Sequence, residues 1–290
     1  VYIAGLLILI SFSCRTSHSV NKNTDVNALF WEISGKGLSS PSYLLGTIHL
    51  ACKDDIVFGE KIKAAVHNAD EVYFELDLDD PAASMSMLKS MKILNGKTLK
   101  DLFSESDYSR LKKFFKDSLS LDITSMNQYK PFMLLSSVYP KLMPCKNISG
   151  IDMEVMKLAM ADKKTINGLE SVEFQASVFD SIPYEVQAKE LLNLIDSFAV
   201  YKIYMAKMSA DYRARNMSSL QELMSRTDFD YAGTEELMLN GRNRNWVKRL
   251  NEILPGKNIF VAVGAGHIPG DQGLVNLLRK EGYTVKPVSE

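Results

Sequence analysis

No charge of one sign dominates this chain: 34 lysines and arginines face 35 aspartates and glutamates, leaving a formal net charge of −1. The charges are scattered, so no basic or acidic stripe offers itself to nucleic acid or another polyanion. No apolar run approaches the ~20 residues that a helix needs to cross a bilayer. The strongest, Ile3 to Phe12 in "VYIAGLLILISFSC", is too short. There is no internal repeat with a period of ~20–50 residues, no low-complexity tract and no H-E-x-x-H. Histidine and cysteine are scarce, with four and three copies in 290 residues. What remains is the composition of a folded globular protein large enough for one large core or two modest ones.

The run from Ile3 to Phe12 reads as the apolar stretch of a secretory signal, with Ser11-Phe12-Ser13 as the small-x-small step before a cleavage point. Cys14 follows at once, and the segment resembles a bacterial lipoprotein signal, in which that cysteine is lipidated. Ser11 stands where such signals usually carry leucine, which keeps plain secretion as the alternative. The expectation is a signal over 1–14, a polar flexible tether over 15–28 and a folded domain over 29–290. The protein would be exported to the cell envelope, touching the membrane only through its N-terminal anchor. There Cys52 and Cys145 can form one disulfide, although spacing does not show that they meet. Cys52, three residues after His49, is otherwise a candidate soft metal ligand.

Alternating and continuous apolar runs give the coarse fold. "ALFWEISG" and "SYLLGTIH" read as a hairpin, "VFGEKIKAAVHNAD" as a helix and "EVYFELDL" as another strand. Strand, helix and strand in that order predict a crossover with parallel strands, whose carboxyl ends share one edge of a sheet. His49 and the acidic step Glu75-Leu76-Asp77 would emerge there together. Residues from about 85 to 198 are mostly helical, and their many methionines suit flexible core filling. Within them "KKTINGLESVEFQ" reads as a strand running through Gly168-Leu169-Glu170 into a helix. Helix, strand, helix and strand return after Thr234, with "NIFVAVGAGH" as the strand. The fold class is α/β, a mixed sheet with parallel βαβ units flanked by helices and a helical insertion or cap in mid-chain.

Two strand-like runs end in Gly-x-x-His, as Gly46-Thr47-Ile48-His49 and Gly264-Ala265-Gly266-His267. A glycine before the turn permits a backbone approach that a side chain would block. Two such ends can aim their imidazoles at one point, and a carboxylate such as Glu75 would complete a two-histidine, one-acid metal set with open positions for water. The plainer reading is two satisfied loop histidines. His18, in the tether, and His67, on a helix, receive no role. Glu170 likewise has a plain reading, as a glutamate favoured by a helix N-terminus, and Arg242 as a solvated residue in a basic run with Arg244, Lys248 and Arg249.

Taken in order, "YLLGTIHL", "VYFELD", "GID", "INGLESVEFQ", "GRNRNW" and "VAVGAGHIPG" resemble the TraB/GumN family, which includes PrgY-type and Tiki-like members, over roughly residues 29 to 288. The resemblance implies a metal site with His49 and His267 as ligands and Glu75 beside them. It carries the family's G-L-E glutamate onto Glu170 and its R-N step onto Arg242-Asn243; the roles expected of them here are general base or orienter of water for Glu170, and donors to an oxyanion for Arg242 with Asn243. It implies a divalent cofactor (manganese, cobalt or zinc) and a metal-dependent hydrolase, most simply a peptidase acting on a peptide or protein outside the cytoplasm. The alternative is a tethered, non-catalytic protein that captures a metal, haem or a peptide.

Overall fold

The structure, a computed structural model, describes residues 28–77, 79–224 and 235–289. The signal over 1–14 and all but the last residue of the tether lie outside them. Eight strands form among the described residues: β1 (Phe30–Ser34), β2 (Ser42–Thr47), β3 (Ala51–Cys52), β4 (Glu71–Phe74), β5 (Ile148–Ser149), β6 (Thr165–Gly168), β7 (Ile259–Gly264) and β8 (Thr284–Pro287). Six of them make one mixed sheet in the order β6-β4-β7-β2-β1-β8, and β3 pairs with β5 apart from it. β1 and β2 form the expected hairpin, antiparallel with Phe30 opposite Leu45. β2, β7, β4 and β6 run parallel, so their carboxyl ends share an edge. The crossover from β2 to β4 is parallel as its sequence implies, but the two strands are not neighbours. β7, from the far end of the chain, lies between them.

β7 shows why the sheet is buried on both faces. Val261 and Val263 join a cluster with Ile33 of β1 and Leu44 of β2, and with Trp246, Leu250 and Leu274 from helices Gly241–Ile253 and Leu274–Lys280. Phe260 and Ala262 point the other way, against Ile62, Val66, Val155 and Ala159 of helices Glu60–Asn68 and Ile151–Ala161. Successive side chains alternate across a strand, so a sheet sandwiched by helices needs apolar residues at every position. That requirement is met by the unbroken run "IFVAVG".

A third cluster belongs to the helical mid-section. Leu111, Phe115, Leu134, Val138, Leu191 and Tyr201 pack together, with Cys52 at its margin. The helical stretch expected at 85–198 extends through helix Phe198–Arg213 and is interrupted by β5 and by β6, which joins the main sheet. The methionines divide. Met143 and Met205 fill this core, whereas Met85, Met153 and Met160 are exposed, contrary to a uniform core-filling role. Cys52 and Cys145 form a disulfide with Cα atoms 5.8 Å apart, which rules out Cys52 as a free metal ligand. No helix of the described residues is long and apolar enough to cross a membrane.

Leu44 has no exposed surface and sits centrally among the first cluster. Leu44→Ala should therefore cost about 2–5 kcal/mol, read as a lower denaturation midpoint with an unchanged slope against urea.

Candidate metal centre

The two Gly-x-x-His steps stand side by side, because β2 and β7 pair in parallel with Gly46 opposite Val263 and Thr47 opposite Gly264. Gly46 makes room for the turn that carries His267, and Gly264 makes room for Glu75. A Cβ on Gly46 would lie 3.0 Å from the Ile268 side chain and 3.2 Å from Ala265 Cα, in the turn that carries His267. A Cβ on Gly264 would lie 3.2 Å from Glu75 Oε1. Contacts near 3.0 Å force a neighbour to move, so the motif's spacing has a steric cause.

His267 is buried, 3% exposed, with its ring against Trp246 at a centroid distance of 4.4 Å. Its Nδ1 lies 2.6 Å from Asn243 Oδ1. Asn243 Nδ2 donates to the carbonyls of Gln272 at 2.8 Å and His267 at 3.4 Å, which fixes the amide's direction. Nδ1 of His267 therefore carries the proton, and Nε2 keeps its lone pair. Nε2 faces Arg242 Nη1 at 3.2 Å and Glu75 Oε1 at 3.8 Å. Burial, more than any neighbouring charge, pushes the His267 pKa down to about 3, so this ring is neutral at physiological pH.

Arg242 is the hub. Its Nε donates to both Glu170 oxygens at 3.0 and 3.1 Å, and Nη2 donates to Glu170 Oε1 at 2.7 Å and Glu75 Oε2 at 2.6 Å. Nη1 also donates to the Met238 carbonyl at 2.9 Å. The reading of Arg242 as a solvated helix residue fails, because it is only 6% exposed. Trp246 Nε1 donates to Glu170 Oε2 at 2.8 Å, so both oxygens of that carboxylate are taken. Glu170 reaches this position because the backbone ladder continues past β4 and β6, with Glu170 N donating to the Glu75 carbonyl at 3.0 Å. Ser171 then caps helix Val172–Asp180 by accepting from Phe174 N. Burial alone would raise the Glu75 pKa. The charges of His267, Arg242 and His49, with the Gly264 N–H, overcome it and hold the carboxyl at about 2. Since His267 is uncharged above about 3, Arg242 is the stronger of these partners at neutral pH.

His49 differs from its counterpart. Its side chain is 69% exposed, and Nδ1 lies 2.9 Å from Asp152 Oδ2. A hydrogen bond to that carboxylate raises its pKa to about 8. When the ring is neutral, Nδ1–H donates to Asp152 and Nε2 is left as the acceptor, the tautomer that a carboxylate partner imposes on a ligating histidine. His49, Glu75, Asp152, Gln175 and Thr47 line one recess of about 240 Å³, with Phe74, Met87 and Val263 as apolar wall. Gln175 Nε2 spans Glu75 Oε2 at 3.4 Å and Glu170 Oε1 at 3.2 Å.

The expected site residues therefore fall into one region at the carboxyl ends of the parallel strands. His267, Glu75, Glu170, Arg242 and Asn243 make one connected hydrogen-bonded group, and His49 shares the recess with Glu75. Asp77 turns away into a separate recess with Asp80, Glu170 and Glu173. Among the described residues no three His, Cys, Asp or Glu side chains close into a ready ligand cluster. The donors fit a divalent cation in kind: two imidazoles left with Nε2 as the acceptor by their Nδ1–H bonds, and a carboxylate. They do not fit it as a closed cage, because Arg242 uses the His267 lone pair and one oxygen of Glu75. Asp152, Gln175 and Trp246 are the site residues that side-chain reasoning on sequence overlooked. All three sit inside the quoted motifs "GID", "INGLESVEFQ" and "GRNRNW", which was the available signal.

Such a fold and site define an α/β protein that gathers two strand-end histidines and a carboxylate over parallel strands. The chain belongs to the TraB/PrgY/gumN family, whose family model matches residues 29–287. It is 23% identical over 319 residues to the metalloprotease TIKI1 of Homo sapiens, covering 91% of this chain and 63% of that protein. The TIKI1 metalloprotease of Danio rerio is 22% identical over 327 residues, covering 94% of this chain and 65% of the relative. An uncharacterized protein of Treponema pallidum is 24% identical over 302 residues, with 97% and 90% covered. The chain thus spans about two thirds of the length of these TIKI relatives. No solved structure matches.

His267 generates a pH prediction for the metal-free protein. The unfolded ring takes up a proton near pH ~6.5 and the folded one only near 3. Between those values the unfolded state holds more protons, so stability rises with pH across the window and is lost as pH falls through it. Urea midpoints measured from about pH 7 to pH 4 should fall with acidification in the wild type, and less steeply in His267→Gln.

Proposed function

We propose that this protein is a metal-dependent hydrolase that cleaves peptide bonds outside the cytoplasm, tethered at Cys14 or released after signal cleavage. The observation that carries the reading is Glu75, which touches the His267 environment on one side and opens into the His49 recess on the other. The named activity of the TIKI relatives supports it.

In this reading His49, His267 and Glu75 would hold a manganese, cobalt or zinc ion. When bound, such an ion supplies Lewis-acid polarisation of a carbonyl and a water acidified toward neutrality. Everything else is the chain's own work. Asn243 and Asp152 are positioning residues that fix the two imidazole tautomers. Glu170, with both oxygens engaged, positions Arg242 rather than serving as the base. Arg242 can turn its Nη1–H, now spent on His267, toward negative charge developing on a substrate oxygen. Thr47 Oγ1 and Asp152 Oδ1 are buried beside the recess without a hydrogen-bond partner among the described residues. At about 240 Å³ the recess is smaller than the ~300–1,000 Å³ of pockets that enclose a drug-sized ligand. Its walls are largely apolar, with His49, Glu75, Asp152 and Gln175 as a few convergent polar groups, and at this size it does not enclose a haem. A peptide edge with one side chain inserted suits it better.

Two measurements follow. Purified protein with manganese should cleave members of a peptide library and His49→Ala should not; tight metal binding without turnover would instead identify a capture protein. Asp152→Ala removes the acceptor that fixes the Nδ1–H tautomer of His49, so calorimetry should show metal affinity reduced by ~10–100-fold.

A further inference from the structure

His49 and Asp152 are 103 positions apart in sequence, and neither belongs to the six-stranded sheet. What brings them together is a small assembly beside it. β3, which starts two residues after His49, pairs antiparallel with β5, Ala51 opposite Ser149 and Cys52 opposite Ile148. Ile151 N donates to the Ile48 carbonyl and Lys53 N to the Asn147 carbonyl, each at 3.0 Å. Gly150 is packed so closely that a Cβ would collide with the Asp152 carboxylate and lie 2.9 Å from the His49 carbonyl. A ladder of two residues per strand is marginal by itself. Across its end runs the Cys52–Cys145 disulfide, joining residues 93 apart.

His267 has no such dependence. It follows β7 in the centre of the main sheet, and its partners Asn243, Arg242 and Trp246 come from one helix packed on that sheet. One imidazole is thus set by the core and the other by a cross-linked appendage.

We infer that the Cys52–Cys145 disulfide is a positioning staple for the His49–Asp152 pair, and that thiol reductants release His49 from Asp152 while leaving His267 in place. The chemistry is thiol–disulfide exchange with a dithiol. The Cys52–Cys145 bond breaks, its two sulfurs receive two electrons and two protons as thiols, and the dithiol closes to its own disulfide. The staple stands on geometry alone. Its consequence for turnover rests on the peptidase reading.

The test uses the metal-free full chain with ¹⁵N-labelled histidine, at about pH 9.5, where the imidazoles are neutral and ¹⁵N shifts report the tautomer. In the oxidised protein His49 should show the Nδ1–H form. After dithiothreitol, and separately in Cys145→Ser, it should shift to the signals it has in oxidised Asp152→Ala, which has no acceptor there, with His267 unchanged. Unchanged His49 signals after reduction would overturn the inference. So would joint loss of the His49 and His267 signals, which would make the bond a support of the whole fold. In the peptide assay Cys145→Ser should lose ~10–100-fold in kcat/KM. If the oxidised wild type cleaves nothing, the peptidase reading fails, and the spectra still decide the staple.

Discussion

A guanidinium buried between two carboxylates is the interaction on which the centre depends. Arg242 is 6% exposed, and its side-chain partners Glu75 and Glu170 are 13% and 4% exposed. Burying three charges is expensive, and removing one partner of such a group typically costs ~3–5 kcal/mol because the others are left uncompensated. Here every Arg242 N–H and both oxygens of each carboxylate also have a partner. Trp246 and Gln175 complete Glu170, Gly264 N donates to Glu75 at 2.9 Å, and the Met238 carbonyl takes an Arg242 N–H. A buried ionic group satisfied this fully fixes one arrangement of the strand ends rather than several.

The same arginine sets the terms for a cation. A divalent ion at His267 and Glu75 would have to displace an N–H from the imidazole lone pair and share a carboxylate with a positive neighbour. Neither obstacle is prohibitive, because Glu170 holds Arg242 through Nε and Nη2 without help from His267. Nη1 can withdraw while the guanidinium stays paired. The guanidinium would keep its charge balanced by Glu170 and, in the proposed reaction, would have one N–H free for a substrate oxygen.

Much of this was legible in the sequence, for identifiable reasons. The hairpin of β1 and β2 followed from alternation, and the both-sided burial of β7 from an unbroken apolar run. Gly-x-x-His marked both histidine turns because Gly46 packs against the turn that carries His267 and Gly264 against Glu75. Glu170 and Arg242 were named through resemblance, while their plain readings as a dipole-favoured glutamate and a solvated arginine missed a partnership that spans 72 positions. Local patterning carries no record of such a pairing. β7 lying between β2 and β4 was illegible for the same reason, being a contact between distant parts of the chain. β3 and β5 are two residues each, too short for any period to show. With them went the meeting of Cys52 and Cys145, and the use of Asp152.

The two halves of the centre accordingly obey different physics. His267 is held by burial, an amide and an aromatic ring, so its geometry and neutrality change only if the core changes. His49 is exposed and held by a single carboxylate on a cross-linked appendage, so its position can change at little cost to the main sheet. A centre that needs both imidazoles is therefore as well ordered as its exposed half. In this fold that half is governed by the residues from Gly150 to Asp152 and by the bond beside them, while the buried half is set by the core.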